Sequence, residues 1–552
     1  MPRTLYTYIL KDLIRLLVLS STVLVLVISF AAAIEPLTKG QLGPWLLIKY
    51  VLYGIPTTLT VVLPFSCAYA ATIVFTRMAT DNEIMACSAS GLSYRSILIP
   101  VAVVGLLLCG SLYYLGNWVV PWFYHRLELM LHRDLPSLIV EHVETGRPLA
   151  IGDGNVMYAD AADELVPSAG PVDTGVAPYR LIMVRGVAIG RFDRQHILRD
   201  ITTTSEADIY LYRHEGHTWA QLHLQNVMTL NQLTGNYATI KKPQIRPFAV
   251  PSPFKDDPRF LSWPNLVRLA TEPQHYEPVQ RKSRQLARHM AQHRLLGFMT
   301  TYLDRSIGNG TVTLQADEHE QYILSTPNVE LLKTGLYLSG NKDQLVRVER
   351  RSHGLLTLVY ESPSADLSVK VSPEQPEPMI KLEMASVTVT DRSSQNRKTQ
   401  KRAQVFRNIR WPQPILQPLL AQSPREIRAQ AAMYFRDAET VQQADRILYD
   451  SIDKLRRKIK AHIHERAALS GTNIFVLLLG SLLGIYLRGS TPLIIYFWIF
   501  VITAISVFVT RSGENVASDA NSSVVLGLSI IHLGNLMLCA AVIRIYWKLS
   551  RN

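Results

Sequence analysis

Cysteine is scarce in this chain. Its 552 residues include four, Cys67, Cys87, Cys109 and Cys539, and none falls between 125 and 466. That long middle region must fold without disulfides, whatever the redox state of its compartment. The dipeptide Gly-Lys never occurs, which excludes a Walker A phosphate loop and an ATPase built on one. His214-Glu215-Gly216-His217 falls one residue short of the zinc-binding His-Glu-x-x-His spacing and reads as a turn, not a helix face. Ser88-Ala89-Ser90-Gly91 lacks the first glycine of a nucleophile elbow. Arg281, Lys282, Arg284 and Arg288 have no interleaved base-stacking aromatics, so no nucleic-acid partner is expected. His462 and His464, two positions apart, cannot share one helix face and read as solvated residues at a helix end. No catalytic constellation, metal site or cofactor is expected; the chain reads as non-catalytic.

Charge is also missing in places, and those places decide the fold class. Six uncharged stretches, 16–34, 50–75, 97–124, 467–487, 493–510 and 524–543, approach or exceed the roughly 20 residues that cross a bilayer. Three successive runs at each end are too many for buried core helices, so six transmembrane helices, three plus three, are expected. The first run ends in Ala31-Ala32-Ala33, but it is long for a signal-peptide core and further spans follow at once, so an uncleaved anchor is expected. Arg3, Lys11, Arg15, Arg77, Arg95, Arg488, Arg544, Lys548 and Arg551 flank one side of the spans, against Lys39, Lys49 and Arg511 on the other. The excess predicts cytoplasmic termini and an exported middle region. The formal net charge of +13 does not bear on that, because long domains translocate largely regardless of charge.

Between 125 and 466 the dominant period is two. "ADIYLYRHEGHTWAQLHLQNVMTL" alternates around His214-Glu215-Gly216-His217 and predicts a hairpin, while "GLLTLVYESPSADLSVKVS" and "MIKLEMASVTVTD" repeat the texture. Two strand-rich blocks, 147–250 and 311–409, each leave through a proline-rich segment into a helix start, at Ser262 or Ser423. Ser423-Pro424-Arg425-Glu426 has capping-box spacing with Pro at the first helical position. A basic helical segment follows each block, which suggests a duplicated, jelly-roll-like β-unit. Alternation predicts apolar inner faces. Ile209 and Leu211 share one face with Leu222 and Leu224; Leu356, Leu358, Leu382 and Met384 do so in the second block, with Gln221 and Glu383 outward. Leu222 and Leu382 lie on these inner faces.

"FTRMATDNEIMACSASGLSYRSILIP" separates the second and third apolar runs. Thr80-Asp81-Asn82-Glu83 has capping-box spacing and Gly91 sits where a left-handed C-cap belongs, so 80–91 reads as a short helix. Spacing alone leaves it either a solvated turn or a docking helix.

With its flanks, "VVLPFSCAYAATIVFTRMATDNEIMACSASGLSYRSILIPV" resembles the signature of the lipopolysaccharide export permeases, the LptF/LptG family. Leu63-Pro64, Arg77, Asp81, Glu83, Ala86 and Gly91 occupy the family's places, with Ser90 where alanine is usual. "HERAALSGTNIFVLLLGSLLGIYLRG" is similar to the family's fourth span. Arg466, Gly480, Gly484 and Arg488 match, while the usual proline near Ala468 is missing and the preceding glutamate is displaced to Glu465. The middle insert is more than twice the family's single jelly-roll unit.

The resemblance implies the permease subunit of an ABC-type lipid exporter in the inner membrane, with a periplasmic β-domain. Implied partners are two copies of a cytoplasmic ATPase, a paralogous permease or second copy of this chain, and a periplasmic jelly-roll bridge protein. The implied cargo is lipopolysaccharide or a related glycolipid. Arg77, Asp81, Glu83, Ala86, Gly91 and Arg95 would form the ATPase-coupling segment. Lys39, Arg126 and Arg133, beyond the outer ends of the first and third spans, are candidates to meet lipid phosphates, and Leu222 and Leu382 are candidates to touch acyl chains. The expected domains are 1–124 and 467–552 in the membrane, with β-units at 125–310 and 311–466. A lipoprotein-releasing or efflux permease, or a membrane receptor or scaffold, stays open as an alternative.

Overall fold

A computed structural model describes residues 3–551 apart from 39–43, 127–139, 141–142, 145, 147, 153–154, 166–177, 193–197, 215–216, 232–234, 236, 241–247, 250–256, 305–309, 318, 333–334, 372–376 and 393–396. Six helices are long and apolar enough to cross a membrane: Arg3–Ile34, Ile48–Thr80, Tyr94–Arg126, Glu439–Tyr486, Pro492–Ser518 and Val524–Arg551. The fourth begins far ahead of its uncharged run. No Gly or Pro interrupts 439–470, and its Glu, Lys, Arg, Ala and Leu residues all favour helix, so nothing stops the helix at the membrane boundary. His462 and His464 therefore lie inside a continuous helix rather than at its end.

The chain divides into two compact units, Met1–Val267 with Arg457–Asn552, and Arg268–Arg456. In the first, a single apolar core joins the spans through Ile9, Leu13, Phe75, Met78, Ile97, Val476, Leu482, Ile495 and Leu538. Small residues let the backbones approach. A Cβ on Gly480 would lie 2.9 Å from Ala71 Cβ, and one on Gly484 would lie 3.0 Å from Thr76 N. Association in lipid depends on such close packing, because the tails are as apolar as leucine. Polar side chains add to it: the Thr472 hydroxyl donates to Asn535 Oδ1 at 2.8 Å, and Asn535 Nδ2 donates to Ala468 O at 2.7 Å.

The same unit holds a nine-stranded antiparallel sheet. Leu198–His214 and His217–Gln225 form the expected hairpin, with His214 opposite His217, Ile209 opposite Leu222 and Leu211 opposite Ala220. Ile209, Leu211 and Leu224 are buried in one cluster, with Leu222 partly buried against it. Gln221 departs from the expected alternation. It is buried, because the Tyr212 hydroxyl donates to its Oε1 at 2.9 Å and removes the cost of enclosing the amide.

The second unit holds a separate nine-stranded sheet. Its long strand Met379–Asp391 buries Leu382 and Met384 and exposes Glu383, as period-two alternation requires. Leu356 and Leu358 are half-buried. The basic segment forms the helix Glu277–Leu303, which buries Leu286, Met290, Leu295 and Met299. Ser423 caps the helix Pro424–Tyr434 in a complete capping box with Glu426.

Candidate functional site

The two ends of the spans are built differently. At the end that carries both termini, the second span runs on through Thr80, whose hydroxyl donates to Thr76 O at 2.9 Å. Thr80 is thus inside the preceding helix and cannot cap the next one. The expected capping box at 80–83 does not form, and the two-residue turn Asp81-Asn82 places Asn82 in the left-handed region at φ 58° without a side-chain cap. The short helix is Glu83–Ala89. Its exit is a Schellman motif: Gly91 has φ +81°, its N–H donates to Ser88 O at 3.0 Å, and Leu92 N–H donates to Cys87 O at 3.1 Å.

Ile84 anchors this helix in the apolar core while Met85, Ala86, Ser88 and Ala89 face outward. Arg77 pairs with Asp12 and donates to the Tyr8 hydroxyl at 3.1 Å, which in turn donates to Glu83 Oε1 at 3.2 Å. Arg488 donates to Asn82 Oδ1, and Arg95 Nε donates to the Tyr546 hydroxyl at 2.9 Å. Four helices thereby hold one small exposed surface. Asp81 is exposed at its edge.

The opposite end holds a polar centre. The third span passes through a π-helical turn, Leu115–Val119, which brings Asn117 to a fully buried position. Such turns insert a residue into the helical ladder and are frequent at functional sites. Asn117 Oδ1 accepts from Arg466 Nη1 at 3.1 Å, while Arg466 Nη2 donates to the carbonyls of Arg259 at 2.8 Å and Leu261 at 3.0 Å. Arg259 Nη2 reaches Glu514 Oε1 at 3.2 Å. His462 Nδ1 lies 3.2 Å from both Glu465 Oε2 and Glu514 Oε1, and Lys458 Nζ lies 3.1 Å from Asp257 Oδ1. Burial opposes ionisation of Asp257, but the Arg259 backbone N–H and Lys458 outweigh it and hold the carboxyl below its usual range. Burial likewise opposes the charge on Arg259, and Glu514 reverses the balance and raises it. A cavity of about 120 Å³ adjoins this centre, lined by Arg259, Glu465, Arg466 and Arg511 on its charged side and by Leu112, Val120 and Leu469 among its apolar residues.

Of the expected site residues, Arg77, Asp81, Glu83, Ala86, Gly91 and Arg95 lie in or beside the short-helix segment. Arg126 is exposed at the end of the third span, its guanidinium 5.0 Å from the Trp122 ring centroid. Lys39 and Arg133 lie outside the described residues. Leu222 and Leu382 belong to different sheets and are not brought together by sheet pairing. The reading of His462 as a solvated residue is overturned, since its side chain is 1% exposed. Asn117, Arg259, His462 and Glu514 were missed. The available signal is Glu465 and Glu514 close beside uncharged membrane-length runs, where an ionisable group signals function by default.

Six apolar helices, a short helix between the second and third, and β-sheets in the intervening chain define a multi-pass membrane protein of the transport-permease class. The family model for the lipopolysaccharide export system permease LptF/LptG matches residues 7–289. That is just over half of the chain, which therefore belongs to this family of transport subunits. No curated protein matches the chain.

Proposed function

We propose that this chain is the membrane subunit of an ABC-type exporter that draws lipopolysaccharide or a related glycolipid from the inner membrane. In this reading Glu83–Ala89 is the surface on which a separate cytoplasmic ATPase docks, two copies serving a pair of permeases. The membrane halves are 1–124 and 467–552, and the exported region passes lipid to a periplasmic jelly-roll bridge protein.

The observation that carries this reading is the short helix itself. Arg77, Tyr8 and Glu83 tie it to the first two spans, Ile84 pins it to the core, and its small outer residues leave room for another surface. A push on that helix is transmitted directly to the spans that hold it. Apolar faces around Leu222 and Leu382 support lipid transfer in the sheets, and Arg126 beside Trp122 supports an interfacial role for the third span.

The experiment is co-purification from native membranes with the ATPase, comparing wild type with Glu83→Ala. The variant is expected to insert normally and lose ATPase recovery or coupled transport; unchanged recovery and transport would sink the docking assignment. A single cysteine at Gly216 should react with an impermeant reagent on whole cells while one at Asn82 should not. The reverse pattern would invert the orientation.

A further inference from the structure

His462 sits against two buried carboxylates, one on its own helix and one on the next span. Its Nδ1 is equidistant, at 3.2 Å, from Glu465 Oε2 and Glu514 Oε1. Its Nε2 makes no hydrogen bond and faces Asp257 Oδ1 at 4.0 Å. Nδ1 and one oxygen from each glutamate thus converge on one point, three atoms that can each ligate a cation.

All three side chains are buried, and the three ligand-capable atoms lie within 4.8 Å of one another. Their separations suit a small cation. Ligands about 2.0–2.2 Å from a tetrahedral zinc ion stand about 3.3–3.6 Å apart, slightly beyond both histidine–carboxylate distances of 3.2 Å. Charge points the same way. Glu514 is paired with Arg259 and Asp257 with Lys458, whereas among the described residues Glu465 makes no direct ion pair with a guanidinium or ammonium group.

We propose that His462, Glu465 and Glu514 form a binding site for one divalent transition-metal ion of the Zn²⁺ class, held through His462 Nδ1 and one oxygen of each glutamate. One imidazole with two carboxylates is a borderline donor set, suited to zinc and its neighbours rather than to calcium or magnesium. Asp257, itself fixed by Lys458 and the Arg259 N–H, stands 4.0 Å beyond Nε2 and is the positioning residue that acts on the far side of the ring through its charge rather than a hydrogen bond. Three protein ligands leave a coordination position free, and Glu465 also lines the adjoining cavity, so water or an anionic oxygen can reach it. The site joins the fourth and fifth spans, whose helices supply its ligands. The inference stands apart from the export reading, since metal uptake is measured without transport.

The test uses the full chain, purified in detergent, stripped with a chelator and titrated with Co²⁺ as a spectroscopic stand-in, then with Zn²⁺. Wild type is expected to take up one Co²⁺ per chain with visible d–d absorption, displaced by Zn²⁺. His462→Gln and Glu514→Gln should abolish that signal, Asp257→Asn should weaken binding about 10–100-fold, and His462→Cys should restore it with a thiolate-shifted spectrum. His464→Gln should leave it intact; it is the control for the neighbouring His464–His532 pair, whose ring nitrogens lie 3.1 Å apart. Absence of uptake by wild type overturns the site and leaves His462 as a structural tie between two carboxylates. Uptake that survives His462→Gln but is lost in His464→Gln overturns it as well. Size-exclusion elution of each metal-free variant separates lost ligands from lost fold, and the wild-type titration decides the matter if a variant does not fold.

Discussion

The two ends of the membrane helices solve the same problem, the placement of charge beside a bilayer, in opposite ways. At the terminal end the Arg77–Asp12 pair stays wet, with its side chains 47% and 23% exposed. At the other end His462, Glu514 and Glu465 are 1%, 6% and 10% exposed and depend on one another. An exposed pair contributes little to stability and can rearrange cheaply, which suits the docking role proposed for that end. A buried set has lost its water and must be complete, so it fixes the helices around it. The comparison predicts that substitutions at the first end damage function before fold, and at the second end the reverse.

The largest expected effect is Arg466→Ala. It strips a guanidinium from the buried Asn117 and from the carbonyls of Arg259 and Leu261, leaving three acceptors without their charged donor. A loss of about 2–4 kcal/mol is expected, read as a lower melting temperature in detergent. Arg466→Lys should recover only part of it, because one ammonium cannot reproduce the planar fork. An unchanged melting temperature for Arg466→Ala would remove the contrast between the two ends.

Next is Gly484→Leu, where the new Cβ alone would lie 3.0 Å from Thr76 N, with the rest of the side chain between two packed helices. Overpacking should cost about 1–3 kcal/mol. Gly484→Ala should cost less, since the shift needed is only a few tenths of an ångström.

Gly91→Val sharpens the comparison at the terminal end. With φ at +81° a β-branched residue carries a backbone penalty of about 1 kcal/mol or more. ATPase coupling should fall by more than that small destabilisation explains. Arg77→Ala is smaller still in stability, below about 1 kcal/mol, because its ion pair is exposed. Loss of coupling with an unchanged melting temperature is the expected pattern. A large drop in melting temperature would show that the terminal end is structural too.

The smallest effect is a control away from both ends. The backbone N–H of Ser423 holds the Glu426 carboxyl below its ordinary value of 4.5. A lowered folded-state pKa means that its contribution is present above about that pH and is lost as pH falls through the folded value. Glu426→Gln should lose that slight contribution at neutral pH and flatten the acid-side decline, converging with wild type at low pH.

Much of this molecule is legible in its sequence where the deciding interactions are local. Uncharged length marks the spans, alternation marks the hairpin around His214–His217, and Ser423 with Glu426 marks a helix start that the chain then makes. The same reasoning fails where spacing is right but context is not. Thr80 and Glu83 have capping-box spacing, yet Thr80 is already committed to the helix before it. Gln221 has outward parity, yet Tyr212 supplies the partner that permits its burial. His462 was weighed against His464 on its own helix, when its partners are one turn away and on the next span.

The sequence by itself determined the six membrane helices, the two strand-rich stretches and the left-handed turn at Gly91. Each depends on transfer energies and backbone preferences that a few adjacent residues settle among themselves. Only the tertiary structure decided that Asn117, Arg259, His462, Glu465, Arg466 and Glu514 share one polar centre around the buried His462 and Asn117. They come from segments up to nearly four hundred residues apart, and their charges are tolerable in a low-dielectric interior only because the fold brings each to its counterpart.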